Sequence, residues 1–186
     1  MNASTRIICV MSLSRSSPFY KRAGFWRGVL IQSTLLVVVY VGLQVWQSRH
    51  AMTGQAPPIN ALLLSGEQVS LADYKGKPML VHFWASWCPV CRFEETNISA
   101  IAEDHAVLTF ASQSGDANEV RAYSKQRDLQ FPIIEDELGE WAQLYEVRGY
   151  PSSFIIAADG SIYDVEVGYS SEWGLRLRLF LAGLML

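Results

Sequence analysis

Hydrophobic and polar positions change period several times along this 186-residue chain, and each change marks an element boundary. The first apolar run is the longest. Residues 28–48, "GVLIQSTLLVVVYVGLQVWQS", carry no charge. As a helix rising about 1.5 Å per residue, this run would reach roughly 30 Å, the thickness of a bilayer's hydrocarbon core. A polar stretch, 49–58, closes on Pro57 and Pro58 and reads as a linker. "INALLLSGEQVSLADY" (59–74) then predicts a hairpin: an apolar run, a Ser-Gly-Glu turn, and alternation at Val69 and Leu71. "MLVHFWA" (79–85) reads as a buried strand bearing one histidine. A helix is expected from Pro89 to about His105, with Phe93, Ile98, Ile101 and Ala102 as its apolar stripe. "AVLTFAS" and "FPIIED" read as strands, and the Asp-led "DANEVRAYSKQRD" between them as a surface helix. "LGEWAQLYEV" predicts a helical turn or two. "SSFIIAADGSIYDVEVG" folds back on itself at Asp159-Gly160, the strongest short hairpin signal in the chain. A last apolar helix follows from Ser171. The order β-β-β-α-β-α-β-(α)-β-β-α predicts an α/β domain with a mixed central sheet, helices on both faces and an N-terminal β-hairpin.

Charge divides the chain. The net value of −3 combines a basic start with an acidic body. Residues 1–60 hold six Lys or Arg and no acid; the remainder holds nine basic and all eighteen acidic residues. An acidic body argues against a nucleic-acid partner, since phosphate neutralisation needs clustered Lys and Arg. Five basic residues precede the uncharged run and Arg49 follows it, with Phe25, Trp26 and Trp46 at its ends. The positive-inside rule then expects a cytoplasmic segment 1–27, a transmembrane signal anchor 28–48, and a domain 59–186 in the periplasm of a bacterial inner membrane. No small-x-small cleavage site follows the run, which favours an uncleaved anchor. Cys9 falls in the basic segment, as a bystander thiol.

The chemistry concentrates in "VHFWASWCPVCRFEE" (81–95), where Cys88 and Cys91 are spaced C-x-x-C. Structural zinc would need two further ligands at matching spacing. Copper(I) can take two thiolates, although no Met- or His-rich tract accompanies these. A purely structural disulfide would close a very short loop and remove little unfolded-state entropy. A redox pair needs three conditions, and the sequence meets each. The pair opens a helix after a buried strand, so the helix N-terminus lowers the Cys88 pKa. Cys91, three residues on, shares its face. An extracytoplasmic body permits disulfide exchange.

The stretch "FWASWCPVC" resembles the active-site motif of the thioredoxin superfamily, and "EVRGYPSSFIIAADGSI" (146–162) resembles its second hallmark. The hairpin before the first core strand is similar to the membrane-anchored TlpA/DsbE branch. The W-C-P-V-C motif with one N-terminal anchor looks most like the suppressor-of-copper-sensitivity D proteins. The likeness covers about residues 56–186. It implies a thioredoxin-like fold and a protein thiol–disulfide oxidoreductase acting as a reductase, with no cofactor beyond a redox-active Cys88–Cys91 disulfide and no metal. It implies Cys88 as the attacking thiolate, Cys91 as the resolving thiol and Pro151 as a cis-proline facing them. The Tyr150 backbone and Trp87 would receive the client, and Trp84 would pack in the core. Clients would be protein thiols and disulfides, with a DsbD-type membrane electron donor upstream. One departure stands out: many thioredoxins bury an Asp six residues before the first Cys, where this chain has His82, either a proton relay or a satisfied core histidine. Glu94 and Glu95 read as a solvated helix face, the alternative being that one of them lines the active-site rim, and the acidic run 135–140 as solvated surface. Two other readings use the same cysteines: a copper-handling module and a thiol peroxidase of the AhpC/TSA type.

Overall fold

The computed structural model describes residues 23–48 and 54–184. The expectations for Cys9 and for most of the basic segment lie outside the described residues. The chain divides into two compact units near Gln44, each taken by itself. In the first, α1 (Ala23–Ser48) covers the uncharged run. Ser33 and Thr34 turn their hydroxyls back to the Leu30 carbonyl at 2.9 and 2.8 Å. The expected transmembrane segment finds no support here: among the described residues no helix is long and apolar enough to cross a membrane.

The second unit is built on a six-stranded sheet in the order β1-β8-β7-β4-β5-β6. Its strands are β1 (Gly54–Gln55), β4 (Met79–Trp84), β5 (Ala106–Ser112), β6 (Ile133–Asp136), β7 (Ser152–Ile156) and β8 (Ser161–Val167). β4, β5 and β6 run parallel, while β7, β8 and β1 add antiparallel edges. The expected linker therefore ends early, because Gly54 and Gln55 pair with β8. β2 (Asn60–Leu62) and β3 (Gln68–Ser70) form the expected hairpin as a separate sheet. Leu63 bridges it to Ile134 on β6. The expected Asp159-Gly160 turn joins β7 to β8, with Gly160 at φ +86, where a side chain would be strained.

Alternation along β4 sorts the core into two. Leu80 and Trp84 face one way, onto α2 (Pro89–Ala102), α3 (Ala117–Arg127) and α5 (Glu172–Gly183). Met79, Val81 and Phe83 face the other way, onto α4 (Glu140–Leu144) and the hairpin. α3 begins with a reciprocal cap: Asp116 accepts from the Glu119 amide while Glu119 accepts from the Asp116 amide.

Two expectations about α2 are reversed. Phe93, expected in the core, is 73% exposed, whereas Glu94, expected in solvent, is completely buried. The helix starts at Pro89 and buries Cys91, Glu94, Ile98 and Ile101, spaced by three, four and three. That spacing defines one face, and Phe93 lies about 100° away from Glu94 around the axis. Glu95 is buried too: Tyr123 donates to it at 2.7 Å and Arg127 pairs with it at 2.7 Å. In the acidic run, Asp136 is buried rather than solvated. It accepts from the amides of Trp141 and Ala142 and from the Ser112 hydroxyl, tying α4 to the sheet.

Candidate active site

Cys88 is the N-cap residue of α2, in extended conformation, with Pro89 opening the helix. Proline suits that position because its missing N–H would be unpaired there anyway. The Cys91 amide points back to Cys88 Sγ at 3.2 Å. The two cysteines are disulfide-bonded, with Cα atoms 5.4 Å apart. Both are almost fully buried. Once reduced, Cys88 would hold its thiolate against the Cys91 amide and the positive end of α2, both of which favour the anion.

The strip opposite comes from the start of β7. The Tyr150–Pro151 bond is cis. The Tyr150 carbonyl lies 3.5 Å from Cys88 Sγ. Trp87 stands edge-on to the Tyr150 ring at 5.7 Å and donates its indole N–H to the Gln113 carbonyl at 3.0 Å. Trp87 is 55% exposed, while Trp84 is buried and donates to Thr109 at 3.2 Å. The sequence-predicted residues Cys88, Cys91, Tyr150, Pro151 and Trp87 thus meet at one end of the sheet.

Beneath the disulfide the core holds two titratable side chains. His82 projects to the same face of β4 as Leu80 and Trp84. It sits directly across from Ser153 on β7, and its Nδ1 lies 2.9 Å from the Ser153 hydroxyl. Its Nε2 lies 4.0 Å from Glu94 Oε2. Glu94 comes one helical turn after Cys91 and shares its inward face. Glu94 Oε1 accepts from the Ser170 amide, while Oε2 is buried without a hydrogen-bond partner. Burial drives the His82 pKa down to about 3, so its ring is neutral near pH 7. Burial pushes the Glu94 carboxyl up to about 7, the Ser170 amide opposing and the Glu166 charge adding. Of the two, Glu94 is the group that exchanges a proton near neutrality.

Ser153 and Ser170 are site residues that reading the sequence left out, and Glu94 is buried rather than on the helix face or rim. The signal for Glu94 was present: a position three beyond Cys91 belongs to the inward face of the helix. Among the described residues, no group of three or more His, Cys, Asp or Glu is placed to hold a metal ion. A cavity of about 380 Å³ opens beside Ile59, Tyr74, Lys77, Met79 and Ile156. It lies at the other end of β4 and β7 from the disulfide, away from this chemistry.

Residues 52–165 match the AhpC/TSA family. The thioredoxin-like protein YneN of Bacillus subtilis is 32% identical over 164 residues, covering 82% of this chain and 94% of that one. The thiol-disulfide oxidoreductase ResA of Bacillus thuringiensis is 30% identical over 128 residues, covering 67% of this chain and 74% of its own. Among solved structures, the exposed lipoprotein thioredoxin Etrx1 of Streptococcus pneumoniae superposes with a TM-score of 0.63 at 25% identity, covering 67% of this chain and 99% of that one.

Proposed function

We propose that this chain works as a reductase of protein disulfides outside the cytoplasm, starting from what it is: it belongs to the AhpC/TSA family, within the TlpA/DsbE-like branch, and is a thiol–disulfide oxidoreductase. The observation that carries the reading is the Cys88–Cys91 disulfide at the start of α2, facing the Tyr150 backbone beside cis-Pro151.

The reduced pair begins the reaction. The Cys88 thiolate attacks a client disulfide, one client sulfur leaves as thiolate, and a mixed disulfide forms. An extended client segment pairs with the backbone at Tyr150, and Trp87 gives it an aromatic wall. Cys91 then passes its thiol proton to the Glu94 carboxylate and attacks Cys88 Sγ. The second client thiolate departs, and the protein is left with its own disulfide. Two electrons have moved from the cysteine pair to the client. His82, neutral and hydrogen-bonded to Ser153, stands 4.0 Å from the Glu94 carboxylate.

The location rests on the five basic residues ahead of the uncharged run, against one after it, and on relatives such as an exposed lipoprotein thioredoxin. Attachment through α1 rests on the sequence: 21 uncharged residues flanked by basic ones. Recovery of the full chain in the membrane fraction, with the body open to protease only from the periplasmic side, is the expected result. A DsbD-type membrane carrier would resupply electrons. A suppressor-of-copper-sensitivity D-type role is the finer reading that W-C-P-V-C supports.

The deciding experiment is insulin reduction by the full chain. Cys88→Ser should abolish it, and Cys91→Ala should trap clients as mixed disulfides on non-reducing gels. Undiminished turnover by Cys88→Ser would overturn the reading. A reduction potential near about −270 mV fits a reductase, and one near about −120 mV an oxidant. The family match favours thiol peroxidase as a second reading, for which peroxide consumption is the test. The sequence around Cys88 lacks the P-x-x-x-[TS]-x-x-C pattern, so none is expected. Copper(I) retained through gel filtration without disulfide exchange would instead favour the copper-handling module.

A further inference from the structure

The buried Glu94 carboxylate is connected to the surface through one residue. Ser170 lies in the turn between β8 and α5 and is itself buried. Its amide donates to Glu94 Oε1. Its hydroxyl donates to Glu166 Oε2 at 2.7 Å. Glu166, half-buried on β8, pairs through its other oxygen with Arg178 of α5. Arg178 is fixed in turn by Asp164 at 2.7 Å and by the Gly174 carbonyl at 3.1 Å.

The charged and titratable groups around Glu94 come from each element packed on it. Cys91 precedes it on α2, and His82 faces it from β4. Glu166 stands behind Ser170 on β8, and Arg178 on α5 is paired to Glu166. Glu95 turns away to Tyr123 and Arg127 on α3. Arg176, also on α5, is engaged farther along α2 with Asp104 and the Ala100 carbonyl.

We propose that the Glu166–Arg178 ion pair, joined to Glu94 through Ser170, sets how tightly Glu94 holds its proton and hence how readily Cys91 can hand its own proton over. The inference rests on the reading of Glu94 as the acceptor for Cys91. The step is a simple transfer: the Cys91 S–H bond breaks, an O–H bond forms on Glu94, and the thiolate left behind attacks Cys88 Sγ. The charge of Glu166 opposes a second negative charge on Glu94, and Arg178 offsets that opposition. Glu166 and Arg178 are positioning residues that act from outside the reacting group. Glu166 already pushes the Glu94 carboxyl upward in the intact site.

Two substitutions should therefore act in opposite directions. Glu166→Gln keeps the shape and removes the charge, so Glu94 should titrate at lower pH. Arg178→Gln leaves Glu166 unopposed, so Glu94 should titrate at higher pH. Each shift should be about 0.5 to 1 pH unit, a three- to ten-fold change in proton affinity. The measurement is carboxyl 13C NMR on the oxidised full chain, with the Glu94 resonance identified by its loss in Glu94→Gln. It needs no turnover and no client. The second readout is the pH profile of client release from the Cys88 mixed disulfide, which should follow the same two directions. A Glu94 midpoint that stays put in both variants, or moves the same way in both, overturns the proposal while leaving Glu94 free to serve Cys91. Opposite NMR shifts with an unmoved release profile overturn it differently: they would show that Glu94 is not the acceptor, and the reading beneath the proposal would fall with it.

Discussion

The two faces of the sheet, at the same end of β4, are built on different principles. One face is aromatic. Phe83 stacks on Phe110 at 4.7 Å and meets Phe154 edge-on at 5.6 Å, with Tyr145 filling the remaining side. The other face carries His82, Glu94, Ser153 and Ser170 inside the core, one carboxylate oxygen without a partner. Residues 82 and 83 are neighbours in sequence, so the pleat alone separates the two environments. The comparison teaches that the pleat of a single strand keeps a buried titratable cluster apart from a purely aromatic stack. A buried, incompletely satisfied carboxylate is costly, and the aromatic side lets the domain carry that cost.

The largest way to break the comparison is Phe83→Ala. It should lower unfolding stability by about 3–5 kcal/mol in urea titration, with the pH profile of client release unchanged. Next is Glu94→Gln. Glu94 binds its proton more tightly folded, near 7, than its ordinary 4.5. Its contribution is therefore complete below about pH 4.5 and lost as pH rises through 7. Removing the ionisable group should make the variant more stable than the parent at pH 8 by on the order of 3 kcal/mol, yet slow client release about 10²-fold at pH 7.

His82 works with the opposite sign. Its folded pKa of about 3 lies below the ordinary 6.5, so its contribution is present above 6.5 and lost as pH falls toward 3. Between about 4.5 and 6.5 the two slopes cancel, because folding gains a proton at Glu94 and loses one at His82. His82→Asn should flatten the acid limb, giving a relative gain of about 2 kcal/mol near pH 4 after the lost Ser153 contact. Denaturant midpoints across pH 3–9 check both variants. The smallest effect is on the aromatic side. Tyr145→Phe removes only the hydroxyl bond to the Pro57 carbonyl, 2.8 Å long. It should cost about 1 kcal/mol at every pH up to 9.

Much of this is legible in the sequence. The order of elements, the hairpin at Asp159-Gly160 and the convergence of Cys88, Cys91, Tyr150 and Pro151 followed from pattern and motif. What escaped was rotational phase. The α2 stripe was expected to include Phe93, because apolar residues usually face inward, and Glu94 was placed in solvent for the converse reason. Hydrophobicity is a guide to phase only where no function inverts it. Cys91 was the better guide, since a residue three positions after a buried thiol shares its face. Asp136 escaped differently. Its burial depends on amides of α4 that lie five and six residues later and on Ser112 from another strand, a non-local arrangement that no local pattern encodes.

Trp87 carries a consequence of another kind. Its indole is half open to solvent, is tied by one hydrogen bond to the Gln113 carbonyl, and stands edge-on to Tyr150 beside the disulfide. Any segment that lies along the Tyr150 backbone must displace water from that ring. The disulfide beside it is an efficient quencher of indole emission that vanishes on reduction. Set against a Trp87→Phe control, which accounts for the emission of the other five tryptophans, Trp87 is a built-in optical probe: colour and intensity of its emission separate docking from electron transfer without a label.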